Sequence, residues 1–337
     1  MADMIIANPG LAQSDKGKDR LGLFLKMFTG EVLTAFSQST ITGGRFSERT
    51  IEHGKSAIFP IVGRAKAKYL KAGNNLDDLR TPIEHNERTI VLDGLLTSDC
   101  MIFDLDEAMN HFELRSKYSK EMGEALAVAQ DCAILAEVAK MIVEDKENLP
   151  TNATTGVKGT GKGLIVTETV ATADYGETEA MGVAIFKELL KIKTKMSENN
   201  VPLAGRNCYI KPMALNALIA NKDIINKLYG ASMTIEGNNP PKLIGFDLIE
   251  APLLTEGGVD NENVMQGDGH VFPAAYKDTC QFIVAHPSSA GILTLKGLGM
   301  EHARRPEYQA DQIIAKYAKG FGGLRPEAAF MGVVTQV

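Results

Sequence analysis

The chain has 337 residues, 44% of them hydrophobic and 23% charged, with a formal charge of −6 and no Trp. That length suits about two domains, and the composition is that of an ordinary globular protein, which excludes a chain disordered throughout. The acidic balance argues against a general nucleic-acid binder, because neutralising phosphates needs clustered Lys and Arg.

Residues 1–20 are polar and read as a loose arm. Leu21–Phe36 then places Leu21, Phe24, Leu25, Phe28, Val32, Ala35 and Phe36 at helical spacing, with Gly30 a weak point in its middle. Residues 46–97 read as a long hairpin. From Ala57 to Tyr69 the odd positions form a small apolar face (Ala57, Phe59, Ile61, Gly63, Ala65, Ala67, Tyr69), and Arg64, Lys66 and Lys68 form a basic stripe opposite it. The tip, Ala72–Asp78, is rich in turn formers and ends in Asp77 and Asp78; a return strand follows from about Ile83 to Asp93. Such a ribbon has too little apolar surface to stand alone. It is either a solvated wing on its own domain or an element completed by another subunit.

The clearest helix is expected over 111–145. Leu114, Tyr118, Met122, Ala125, Ala129, Cys132, Ala136, Ala139 and Val143 step by three or four along one face, while Lys117, Glu121, Glu124, Asp131 and Lys140 mostly face away. At 1.5 Å per residue it would be a rod roughly 50 Å long. The composition turns to Gly, Thr and Lys over 149–163, a domain boundary. Beyond it, Met181, Ile185, Leu189, Ile192 and Met196 mark a second amphipathic helix, Cys208–Ile210 a strand, and Pro212–Ala220 a short helix opened by its proline. Phe246–Ala251 and Phe282–Ala285 read as strands, and Glu256–Gly269 as an exposed loop. Ala310–Lys319 is locally ambiguous between helix and strand. The whole is a mixed α+β chain.

Motifs for chemistry mostly fail on inspection. Gly156–Gly163 nearly satisfies the phosphate-binding pattern GxxxxGK[ST], with Gly156, Gly161 and Lys162 in place. However, Gly163 stands where a Mg²⁺-binding hydroxyl belongs, and no buried strand precedes the loop. The six histidines are scattered, with no HExxH and no zinc-ligand spacing. Asp104 and Asp106 suit a helix start better than a metal, and no Ser or Cys lies in a nucleophile elbow. No catalytic, cofactor or metal residue is therefore assigned. Cys100, Cys132, Cys208 and Cys280 form no CxxC and read as free thiols in a reducing compartment. No signal peptide is recognisable and no apolar run approaches a bilayer span, so no membrane partner is expected.

Four blocks carry a family resemblance: Leu21–Phe36; Gly54–Arg64 with Asn75–Asp78; Asp93–Thr97 with Ala108–His111 and Arg115–Ser116; and Ala303–Ala329, whose Ala310–Tyr317 and Gly322–Ala329 are the most specific. They resemble major capsid proteins of short-tailed podoviruses of the autographivirus group. The resemblance implies the Hong Kong 97-like capsid fold. Its parts would be an N-terminal arm (1–45), an extended loop (46–97), a peripheral domain with a long spine helix (98–150 and 282–325) and an axial domain (151–281 and 326–337). It makes Ala310–Lys319 a strand.

The implied function is self-assembly of pentamers and hexamers into an icosahedral shell enclosing double-stranded DNA. A scaffolding protein would direct a procapsid that later expands, and a portal protein would replace one pentamer. Assembly would take place in the host cytoplasm. The resemblance also implies that the extended loop lies over a neighbouring subunit. Arg64, Lys66 and Lys68 would then meet carboxylates such as Glu121, Glu124 and Asp131, with Phe59, Ile61 and Tyr69 supplying apolar contact. Two other readings remain open: an encapsulin-like compartment with the same fold, and a nucleotide-binding enzyme with a degenerate P-loop.

Overall fold

The computed structural model describes residues 22–62, 67–73, 75, 77, 85–104, 114–143, 164–220, 242–254 and 270–337. In chain order the described elements begin with α1 (Gly22–Ser39), β1 (Ser47–Thr50), β2 (Ser56–Val62), β3 (His85–Val91), β4 (Leu96–Phe103) and α2 (Leu114–Val143). There follow β5 (Leu164–Val170), α3 (Glu179–Glu198), β6 (Asn207–Ile210), α4 (Pro212–Ala220), β7 (Lys242–Leu243) and β8 (Phe246–Glu250). The C-terminal part is mostly strand, interrupted by single 3-10 turns: β9 (Cys280–Ala285), β10 (Ala290–Arg305), β11 (Ala310–Gly323) and β12 (Ala329–Gln336). Most of the expected helices and strands are present within a few residues of their expected limits.

Two compact units result, and the division between them falls inside α2, β10 and β11. The first contains Met1–Thr40, Gly94–Gln130 and Leu295–Lys319. In it β11 pairs antiparallel with β4, from Ala310 opposite Phe103 to Tyr317 opposite Leu96. Ile313, Ala315 and Tyr317 are buried at every second position, the period of a strand, and pack with Val32, Ile102, Met122 and Leu126. This packing decides the ambiguous segment, since tertiary contacts on one face outweigh a weak local helix preference. The Tyr317 hydroxyl donates to the Leu126 carbonyl at 3.3 Å. On α2, Gly123 lets α1 approach closely: a β-carbon there would lie 2.7 Å from the Val32 carbonyl oxygen and 2.8 Å from Ala35 Cβ.

The second unit contains Ile41–Asp93, Asp131–Thr294 and Gly320–Val337. Its six-stranded sheet has the order β5-β12-β9-β6-β8-β7. β12 runs parallel to β5 and antiparallel to β9, and β6 runs antiparallel to β9 and parallel to β8. α3 and α4 pack against this sheet through a shared apolar core. Met181, Ile185, Leu189, Ile192 and Met196 are each fully buried, as their spacing predicts. The Thr178 side chain caps α3 by accepting from the Met181 N–H. β1 adds parallel to the first residues of β10, from Ser47 opposite Gly291 to Thr50 opposite Thr294.

Candidate subunit interface

The hairpin forms as expected at its base: β2 and β3 pair antiparallel from Ser56 opposite Val91 to Val62 opposite His85. Its two faces differ. Ala57, Phe59 and Ile90 are buried, whereas Ile58 and Val91 are about half exposed. The buried face rests on its own chain, with Phe59 and Ile90 over Gly291 and Ile90 over Gly322. At Gly320 a β-carbon would come within 2.3 Å of the Val91 carbonyl oxygen, so only glycine allows the β3 backbone this close. Phe59 is thus a core residue of the hairpin base, which corrects its expected place in a contact with a neighbour. Towards the tip, Ala67–Leu70 is not strand, so the two-residue alternation does not extend to Tyr69.

The exposed groups lie beyond that base. Tyr69 is completely exposed, Leu70 is half exposed, and Lys68 and Asp77 are exposed. Asn75 braces Asp77, its amide donating to Asp77 Oδ2 at 3.3 Å and its Oδ1 accepting from the Asp77 N–H. Arg64, Lys66 and Asp78 lie outside the described residues, as does the side chain of Ile61.

The long helix α2 has 30 described residues. Met122, Ala129, Cys132, Ala136 and Ala139 of the expected stripe are buried, whereas Tyr118 and Ala125 are exposed. Glu121 is exposed, and Glu124 is partly exposed 3.8 Å from Lys120. Asp131 is not on an outer face. It is 1% exposed, because α2 is enclosed on all sides from Ala129 to Ala136. Its carboxylate accepts from the Ile41 N–H at 2.8 Å and the Thr42 N–H at 3.2 Å, and also from the Thr42 hydroxyl. Asp131 therefore anchors the chain leading from α1 into β1 and is not available to a neighbour's lysine. An acidic residue on an apparently polar stripe carried no sign of a partner 89 and 90 residues earlier.

A second polar cluster has no counterpart in the sequence reading. His270 is 7% exposed and lies between two carboxylates: Nε2 is 2.8 Å from Asp93 Oδ2, and Nδ1 is 2.9 Å from Glu137 Oε1. Lys140 sits 3.9 Å from the same Glu137 oxygen, and the Phe321 ring meets the imidazole edge-on at 5.6 Å. Burial alone would lower the His270 pKa, but the hydrogen bonds and charges of Asp93 and Glu137 raise it to about 9. The three residues are separated by 133 and 177 positions, so no local spacing announces them.

Chemistry of other kinds has little support among the described residues. They contain no group of three or more His, Cys, Asp or Glu able to hold a metal ion. They also contain no helix long and apolar enough to cross a membrane. Cys132, Cys208 and Cys280 are buried and Cys100 is partly buried, none of them in a disulfide. The P-loop-like segment 156–163 and the loop 256–269 lie outside the described residues.

Residues 58–332 match the Gp10A-like family, whose description is major capsid protein. The chain belongs to that family. It is 41% identical over 340 residues to the major capsid protein of Enterobacteria phage T3, covering 98% of this chain and 96% of that one. Against the major capsid protein of Escherichia phage T7 the identity is 42% over 321 residues, covering 92% and 91%. Among solved structures it is similar to the capsid of cyanophage P-SCSP1u, with a TM-score of 0.69 and 28% identity over 99% of this chain and 100% of that one. The Hong Kong 97-like capsid fold and the podovirus resemblance expected from the sequence are thereby borne out. The function is that of a major capsid protein, a structural component of the virion shell. Neither the compartment shell nor the nucleotide enzyme is favoured by these relatives.

Proposed function

We propose that this Gp10A-like capsid subunit assembles with copies of itself into pentamers and hexamers of an icosahedral shell that encloses double-stranded DNA. A scaffolding protein directs a procapsid in the host cytoplasm, a portal protein occupies one vertex, and the shell expands as DNA enters. Residues 1–45 act as the arm, 46–97 as the extended loop, 98–150 and 282–325 as the peripheral domain, and 151–281 with 326–337 as the axial domain.

The observation that carries this reading beyond family membership is the hairpin. Its base is packed into its own chain, yet it carries Tyr69 fully exposed and Lys68 in solvent. A large aromatic held out on an arm leaves apolar area uncovered, and burying it on a second copy gains about 25 cal/mol per Å². Lys68, with Arg64 and Lys66, faces Glu121 and Glu124 of the neighbour, where exposed pairs worth roughly 0–1 kcal/mol each set register more than strength. Contacts that are individually weak let misplaced subunits leave before the shell closes.

Electron microscopy of the chain expressed with and without its scaffolding protein tests the proposal. Closed polyhedral shells of one size in the presence of scaffold, and aberrant or sparse ones without it, are expected. Monomers or small oligomers under both conditions would overturn it.

A further inference from the structure

The His270 cluster sits at a mechanically significant place. The Leu92 N–H donates to the Lys55 carbonyl at 2.8 Å, closing the β2–β3 hairpin, and Asp93 is the next residue. Glu137 belongs to α2, in the half of the helix that lies in the same compact unit. His270 therefore ties the closing end of the hairpin to the long helix.

Donor arithmetic determines which form of His270 fits. Each ring nitrogen lies within hydrogen-bond distance of a carboxylate oxygen. A neutral imidazole has one N–H, so one nitrogen would turn a lone pair towards a carboxylate. Only the imidazolium donates to both. The charged groups facing it are Asp93, after β3, and Glu137 on α2, with Lys140 on α2 partly neutralising Glu137. From β11 the Phe321 ring meets the imidazole edge-on.

We infer that His270 is a proton-dependent clamp, its imidazolium fastening the closing end of the β2–β3 hairpin to α2 and its neutral form releasing that end. The direction follows from the charges: two carboxylates hold the proton, so the clamp is closed at neutral pH and opens at alkaline pH. The clamp adds to the apolar packing of Phe59 and Ile90 in holding the hairpin base in place.

Hydrogen exchange of the full-length protein tests this, read at the hairpin-base amides of Ala57–Phe59 and Thr89–Leu92 and divided by the intrinsic exchange rate at each pH. The amides of β6 and β9 report global opening and serve as the internal reference. In the wild type, protection of the hairpin base relative to the reference should be greatest near pH 6 and fall progressively, at least about tenfold in all, as pH rises from the ordinary imidazole range to pH 10. In His270→Gln it should be low throughout and independent of pH. A histidine with a merely structural role predicts lost protection in the variant but no pH dependence in the wild type, and that outcome would overturn the inference. So would an equal alkaline fall in His270→Gln. Should that variant fail to fold, Asp93→Asn still decides the matter: with one carboxylate gone, the midpoint of the alkaline fall must move to lower pH, and an unchanged midpoint refutes the clamp.

Discussion

At the scale of single residues, Glu188 and Asp131 show how differently two buried carboxyls behave. Glu188 is fully buried on α3 and makes no hydrogen bond of ordinary length among the described residues. Burial raises its pKa to about 9; the Glu168 backbone and Lys191 pull it down, and the Glu168 charge pushes it further up. The folded state thus binds a proton that the unfolded chain has released, and stability falls as pH climbs from the ordinary carboxyl range through about 9. Glu188→Gln removes this dependence. Relative to the wild type it should gain about 1.4 kcal/mol per pH unit between pH 5 and 8, read by denaturant unfolding at each pH. Parallel stability curves for the two proteins would contradict the assignment. Asp131, by contrast, is satisfied by three donors on residues 41 and 42. Asp131→Ala leaves those donors without their acceptor and should cost about 3 kcal/mol of unfolding free energy. A loss under about 1 kcal/mol would show that water replaces the carboxylate.

At the scale of elements, close backbone approach decides more than propensity does. α1 lies against α2 because Gly123 has no side chain, and Ser119 of α2 donates to Glu31 of α1 at 2.7 Å beside that contact. Gly123→Ala improves helix propensity by about 1 kcal/mol yet forces the two helices apart. The net effect should be a loss of about 1–2 kcal/mol, visible as a lowered thermal midpoint. A raised midpoint would mean the helices separate without cost. The hairpin makes the same point in strands, since Ile90 and Phe59 are core only because β10 and β11 offer glycines beneath them.

At the scale of the whole molecule, the proposed assembly rests on exposed groups. Reversing two charges of the loop, Lys66→Glu with Lys68→Glu, removes the complementarity proposed with Glu121 and Glu124 of a neighbour. The subunit should keep its unfolding free energy within about 0.5 kcal/mol, as surface changes do, while shells become few or malformed by sedimentation and microscopy. Normal shells from this double variant would exclude the charge-register proposal. Assembly from weak contacts is sensitive to such changes, because each is repeated at every subunit boundary of the lattice.

Much of this protein is legible before any coordinates. The stripe Met181 to Met196, the proline opening α4 and the alternation in Ala57–Phe59 are local patterns, and side-chain period alone determines them. The family was legible too, since it rests on residue blocks such as Gly322–Ala329. Tertiary structure alone decided what depends on partners far away in sequence. Ala310–Lys319 became strand by pairing with β4, and Phe59 was drawn from the expected interface into the core. Asp131 turned inward to residues 41 and 42, and His270 met Asp93 and Glu137. The physical reason is common to all four. Period and propensity report which face of an element is apolar, whereas burial of a charged or aromatic group depends on what the rest of the chain places against it.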